Sequence, residues 1–146
     1  MPYPFGNQLY PKFKQKLIGA SSLSTGTPID LLTNTINIAL IDVGVYTYNT
    51  NDEFWSAASS ALVGGPSGIY TFTTKTVTNG VFDAEDAVFT AISGVDVEAL
   101  IIYKSTGVSA TSPLIAYIDV ASSGLPVTPN GGNITVQFNA SGIFAL

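Results

Sequence analysis

The chain has 146 residues, which predicts one domain, and five lysines against ten acidic residues give it a net charge of −5. It contains no histidine, no cysteine and no arginine. These absences exclude zinc sites, disulfides, haem ligation and every catalytic arrangement that depends on histidine or cysteine. The acidic charge and the lack of arginine also argue against a nucleic-acid partner.

The first sixteen residues differ in composition from the rest of the chain. They hold three of the five lysines, three of the eight prolines and no acid, a charge of +3. Residues 17–146 hold two lysines and all ten acids, a charge of −8. We therefore divide the chain into an extended N-terminal arm, residues 1–16, and a single β-rich domain, residues 17–146.

Within the arm, the letters KFKQKLI allow two local structures. Phe13 and Leu17 are four residues apart, which favours a short helix, and we expect it to begin near Gln8. An alternating strand fits the same letters. Only Leu17 and Ile18 follow the lysines as an apolar run, so the start lacks the roughly 7–15 apolar residues of a signal peptide. We expect a protein made in the cytoplasm, with no membrane partner.

The rest of the chain shows the pattern of strands separated by turns. Apolar and β-branched residues alternate or run continuously in several segments, and glycine, asparagine or aspartate lies between them. Asn79-Gly80 predicts a tight two-residue hairpin turn. The chain is therefore predicted to be mainly β, an antiparallel β-sandwich or barrel-like domain with a short N-terminal helix or arm. The main predicted strands are 35–42, 69–77, 87–92, 96–104, 113–120 and 133–139.

The same alternation predicts the core. Residues on the apolar side of each strand, or inside a continuous apolar run, should be buried. The predicted core strand residues are Ile36, Ile38, Leu40, Leu100, Ile102, Leu114, Ala116, Ile118, Val136 and Phe138.

One further segment, DEFWSAASSAL at 52–62, is predicted to be helical. Asp52 could serve as the N-cap, and Glu53 would lie in the first turn, where the helix dipole favours an acid. Trp55, Ala58 and Leu62 would share the buried face.

Clustered acids are candidates for metal binding or catalysis. Asp83, Glu85 and Asp86 lie within four positions and could form a calcium loop, but the full spacing of a calcium-binding loop is absent. We expect these three acids to lie in an exposed turn and to bind no metal. Four acids near strand ends could form the carboxylate pair of a glycosidase, although ten acids in a small domain place two together by chance. They are Asp42, Asp96, Glu98 and Asp119. We expect no catalytic residue and no cofactor.

The candidate partner-binding site is the arm. Its prolines exclude a central sheet strand, yet its apolar side chains are too many to remain in water. We expect the arm to dock outside its own domain, with its lysines attracted to an acidic neighbour; folding onto its own domain is the open alternative. The candidate residues are Tyr3, Phe5, Leu9, Tyr10, Lys12, Phe13, Lys14 and Lys16.

Four stretches resemble a family of small structural proteins of tailed bacteriophages. They are YPKFKQKLI at 10–18, IDLLTNTINIALIDVGVYTYNTNDEF at 29–54, KTVTNGVFDAEDAVFTAISGVDVEALIIYKSTG at 75–107 and SPLIAYIDVASSGLPVTPNGGNITVQF at 112–138. The resemblance implies a virion component, and a capsid cement (decoration) protein fits best. Such a protein binds the outer surface of the assembled head and bridges capsomers.

The resemblance also implies partners and a location. The expected partners are further copies of the chain, as a dimer or trimer, and the major capsid protein. The expected location is the capsid surface of the virion. The alternative is another virion component: a tail, neck or baseplate-associated protein, or a glycan- or receptor-binding fibre module.

Overall fold

Two long strands form the centre of the main sheet. In the computed structural model, which describes residues 7–19 and 28–146, β2 (Ile36–Ile41) pairs antiparallel with β7 (Ala99–Lys104), and Ile38 lies opposite Ile102. Every residue of both strands is buried. The continuous apolar runs that predicted these strands are thus covered on both faces.

Three shorter strands complete this five-stranded sheet. The spatial order is β1-β8-β7-β2-β3, and every neighbouring pair is antiparallel. In the register of the outer pair, Leu9 lies opposite Ala116. The additional strands are β1 (Gln8–Leu9), β3 (Ile69–Thr71) and β8 (Leu114–Ile118).

Two smaller antiparallel sheets pack beside the main sheet, with the order β10-β5-β4 in one and β6-β9 in the other. The described sheets do not close into a barrel, and the predicted sandwich-like antiparallel fold is confirmed. Their strands are β4 (Lys75–Thr78), β5 (Val81–Ala84), β6 (Ala87–Phe89), β9 (Ile134–Val136) and β10 (Phe144–Ala145).

The hairpin turn between β4 and β5 is the one predicted from the sequence. Asn79 and Gly80 have φ angles of 52° and 79°. Positive φ at both central residues is the geometry of the two-residue turn that matches the twist of paired strands. The dipeptide is therefore correctly predicted from residue type alone.

The N-terminal helix α1 spans Pro11–Ile18 and begins later than expected. Proline suits the first helical position because its missing N–H has no helical partner there. Gln8 and Leu9, placed in the helix by the sequence pattern, pair instead with β8. Among the described residues, no helix is long and apolar enough to cross a membrane.

The predicted α-helix over 52–62 is wrong. The segment forms two 3₁₀ turns, Trp55–Ala57 and Ser59–Ala61, and Asp52 does not cap them. Trp55, Ala58 and Ala61 are buried at a spacing of three residues, which matches three residues per 3₁₀ turn rather than 3.6. Further 3₁₀ turns are Gly65–Gly68 and Ser109–Thr111.

Trp55 fixes this segment to the main sheet. Its indole ring lies parallel to the ring of Tyr103, with 4.5 Å between the centroids and an angle of 1°. Its backbone N–H donates to the carbonyl of Ser112 at 2.7 Å. Both contacts join the 3₁₀ turns to the region around β7 and β8.

Most of the predicted core is confirmed. Ile118 and Val136 lie on strands but are half-buried, and Phe138 is half-buried and follows the end of β9. The prediction is therefore weaker at the edge of the sandwich than at its centre. The fully confirmed residues are Ile36, Ile38, Leu40, Leu100, Ile102, Leu114 and Ala116.

Candidate functional site

The described part of the N-terminal arm packs on its own domain. The backbone N–H of Tyr10 donates to the carbonyl of Ile115 at 3.0 Å, continuing the pairing of β1 with β8. Phe13 is fully buried, and its ring meets that of Phe144 edge to face at 6.0 Å. One face of α1 thereby joins the core.

Lys16 is buried beside α1 as half of an ion pair. Its ammonium donates to Glu53 Oε1 at 2.8 Å and lies 5.4 Å from the centroid of the Phe54 ring. The Lys16 side chain is 0% exposed and that of Glu53 is 22% exposed. A buried ammonium requires such a partner, so this lysine is committed to the fold.

A chain of hydroxyl groups also ties the helix region to the following loops. The hydroxyl of Tyr10 lies 3.0 Å from that of Tyr46, and Tyr46 donates to Asp52 Oδ2 at 2.8 Å. Burial, followed by the proximity of Tyr46, raises the pKa of Tyr10 well above its usual range. Burial also raises the pKa of Tyr46, and the hydrogen bond to Asp52 adds to the rise. Both phenols therefore stay protonated and act as hydrogen-bond donors.

The prediction that the arm docks outside its own domain is wrong for Tyr10, Phe13 and Lys16. These side chains are buried within the chain, because Pro11 starts a helix whose apolar face covers the sheet. Helix α1 also crosses the boundary that we drew at residue 16. Of the remaining candidates, Leu9 and Lys12 are half-buried, Lys14 is exposed, and Tyr3 and Phe5 lie outside the described residues.

Glu85 fastens the start of β4 rather than forming part of an exposed turn. Its carboxylate accepts from the N–H and the hydroxyl of Thr73, at 2.6 and 2.8 Å, and from the N–H of Thr74 at 2.8 Å. The Tyr70 hydroxyl donates to it at 3.2 Å. Desolvation favours a higher pKa for Glu85, but the bonds from Thr73 and Thr74 outweigh it and hold that pKa below its usual value.

The expected acidic turn at 83–86 therefore needs correction. Asp83 lies within β5 and is half-buried, Glu85 is half-buried, and Asp86 alone is exposed. Asp86 Oδ1 accepts from the N–H of Phe138 at 3.0 Å. Nowhere in residues 7–19 and 28–146 do three or more potential metal-ligating side chains cluster.

The acids near strand ends serve the backbone in the same way. Asp42 accepts from the N–H of Gly44 at 2.7 Å, and Glu98 accepts from the N–H of Val43 at 2.8 Å, so both hold the turn after β2. Seven of the ten acids accept hydrogen bonds within the chain: Asp30, Asp42, Asp52, Glu53, Glu85, Asp86 and Glu98.

Asp119 differs from these acids. Its Oδ1 is buried and has no hydrogen-bond partner, and desolvation raises its pKa. The burial costs stability at neutral pH, since a charged oxygen without a donor loses its hydration.

A cavity of about 630 Å³ opens between the main sheet and β9. Leu40, Leu100 and Ile118 contribute an apolar wall, and residues 120–125 and 133–139 line the remainder without a break. No lining side chain is charged. The volume is in the range of ligand sites, about 300–1,000 Å³. Sequence reasoning treated 124–132 as a connector and missed this cavity.

Three asparagines on the cavity have fixed side-chain amides. Asn7 Oδ1 accepts from the N–H groups of Asp119 and Val120 at 3.2 and 3.1 Å. Asn133 Oδ1 accepts from Ala91 N–H at 3.0 Å, and Asn139 Oδ1 from the N–H of Ser141 at 2.8 Å. Because each carbonyl oxygen is used by the backbone, each NH₂ group remains as a donor for an occupant of the cavity.

No family model matches the chain, and no curated protein matches it either. The features that could engage a partner are thus the uncharged cavity with its three amides, the exposed Lys14 and the residues of the arm outside the described part of the chain.

Proposed function

We propose that the chain is a non-enzymatic structural protein of a tailed-bacteriophage virion, a capsid cement protein that binds the outer head surface and bridges capsomers. The sequence resemblance of four stretches to small phage structural proteins supports this role, and those stretches cover most of the chain. Its partners are further copies of the chain and the major capsid protein.

The observation that carries the proposal is the use of the acids. A general acid or base must present its reacting oxygen to a substrate. Glu85 and Glu98 instead bind backbone N–H groups, and Glu53 neutralises the buried Lys16. These bonds fix loops and turns to the sheets, as a rigid binding protein requires.

The exposed surface fits many weak contacts. Large apolar side chains are exposed singly in different loops and strands, among them Val45, Val88, Val95 and Val108. Each can contribute only a small contact, but contacts repeated over a symmetric shell become strong through multivalency.

A second candidate is favoured by the cavity. A glycan- or receptor-binding module on a fibre needs a concave uncharged site with amide donors, and Asn7, Asn133 and Asn139 supply them. This candidate places the chain in the same virion but at a different location.

Cryo-electron microscopy of the virion that contains this chain tests the proposal. Density for the chain on the outer head surface, contacting two or more capsomers, is the expected result. Density at the tail, neck or baseplate would contradict it. A glycan array probed with the full chain separates the second candidate, which requires saturable binding that a Gln137→Ala variant of the cavity weakens.

A further inference from the structure

One edge of β9 is free. The strand pairs with β6, with Ile134 opposite Phe89 and Val136 opposite Ala87, and within the described ranges no strand pairs with its other edge. Residues 133–139 all line the cavity, whose opposite wall is the apolar face of the main sheet. A free strand edge beside an apolar wall is the geometry that accepts an added extended segment.

The side-chain amides around this edge suit a peptide. The NH₂ groups of Asn7, Asn133 and Asn139 are held as donors, and a peptide presents a row of carbonyl acceptors. The lining has no charged side chain, so the added segment should have none.

Residues 1–6, MPYPFG, have the required composition. Their side chains are uncharged, and two of them are aromatic. Pro2 and Pro4 are two residues apart, so in an extended strand both missing N–H groups fall on one edge, and Tyr3 and Phe5 donate from the other. Such a strand can pair along one edge only. Tyr3 and Phe5 would also share one face.

We propose that residues 1–6 of a second copy bind as an added strand along the free edge of β9, with Tyr3 and Phe5 seated against Leu40, Leu100 and Ile118. The inference rests on the proposed function, because it identifies the contact that links neighbouring copies. Two aromatic side chains bury about 150–250 Å² each, enough to anchor a short segment.

The direction of the chain favours a neighbour over the same molecule. Asn7 continues β1 past the end of β8, where its side chain binds the N–H groups of Asp119 and Val120. An extended continuation leaves the sheet there, and the prolines favour extended backbone. Reaching the cavity of its own molecule would require a reversal at Gly6.

Complementation between two full-length variants tests the inference. Tyr3→Ser/Phe5→Ser has an altered segment and an intact cavity, whereas Thr135→Lys has an intact segment and a lysine on the exposed side of β9. Thr90→Lys is the matched control, since Thr90 is exposed and does not line the cavity. Masses are measured by light scattering after size exclusion, and circular dichroism verifies folding.

The unaltered chain and Thr90→Lys should form oligomers, and each cavity or segment variant should be a 15.2 kDa monomer. An equimolar mixture of the two monomeric variants should form a one-to-one complex of twice that mass. Failure to form this complex, a monomeric unaltered chain, or loss of assembly in Thr90→Lys would overturn the inference. None of these results bears on head binding, so the proposed function is judged separately by density on the head.

Discussion

Replacement of Phe13 by alanine should unfold the protein more easily, because α1 is part of the core. Phe13 is fully buried and packs against Phe144 at 6.0 Å between ring centroids. Truncating a buried phenylalanine costs about 3–5 kcal/mol, from lost burial and from the cavity that remains. For a chain of 146 residues this lowers the melting temperature by about 10–20 °C.

The measurement is urea unfolding followed by far-ultraviolet circular dichroism. Ile18→Ala is the matched control, since Ile18 lies in the same helix and is 89% exposed. Its free energy of unfolding should stay within about 0.5 kcal/mol of the unaltered protein. If Phe13→Ala were equally mild, α1 would not be packed on its own domain, and the arm would be free to dock elsewhere, as the sequence first suggested.

Three further results are expected. Glu53→Gln should lower the free energy of unfolding by about 2–3 kcal/mol, because it leaves the Lys16 ammonium buried without an anion; Lys16→Met should cost less, since Glu53 is partly solvated, and the reverse order in urea unfolding would contradict this. Because the folded pKa of Glu85 is depressed, its stabilisation is complete above its ordinary pKa near 4.5 and is lost as the pH falls through the lower folded value. Glu85→Gln should therefore remove part of the loss of stability on acidification, and identical pH profiles would be evidence against this role. Adding EDTA should leave the melting temperature unchanged, and a fall of many degrees would restore calcium binding as an interpretation.

The strands that the sequence predicts best are those where local pattern and tertiary environment agree. The apolar runs at 36–41 and 99–104 can be covered only in the middle of a sheet, and they form β2 and β7. Asn79-Gly80 was equally clear, because few residue pairs accept positive φ at both positions.

The errors arise where distant contacts decide. The segment 52–62 has a helical pattern, but the stacking of Trp55 on Tyr103 and its bond to Ser112 select 3₁₀ turns. The polar arm lysines looked solvated, yet Lys16 finds Glu53 across 37 positions of sequence. The cavity was equally invisible, since its walls come from strands and loops far apart in the chain.

The stacking of Trp55 on Tyr103 makes the protein its own optical probe. The chain has a single tryptophan, so its fluorescence reports on one place, the junction of the 3₁₀ turns with β7. Light absorbed by Tyr103 passes to an indole 4.5 Å away, and emission shifts to longer wavelength once water reaches the ring. Detachment of these turns would thus be visible in the spectrum before the sheets themselves separate.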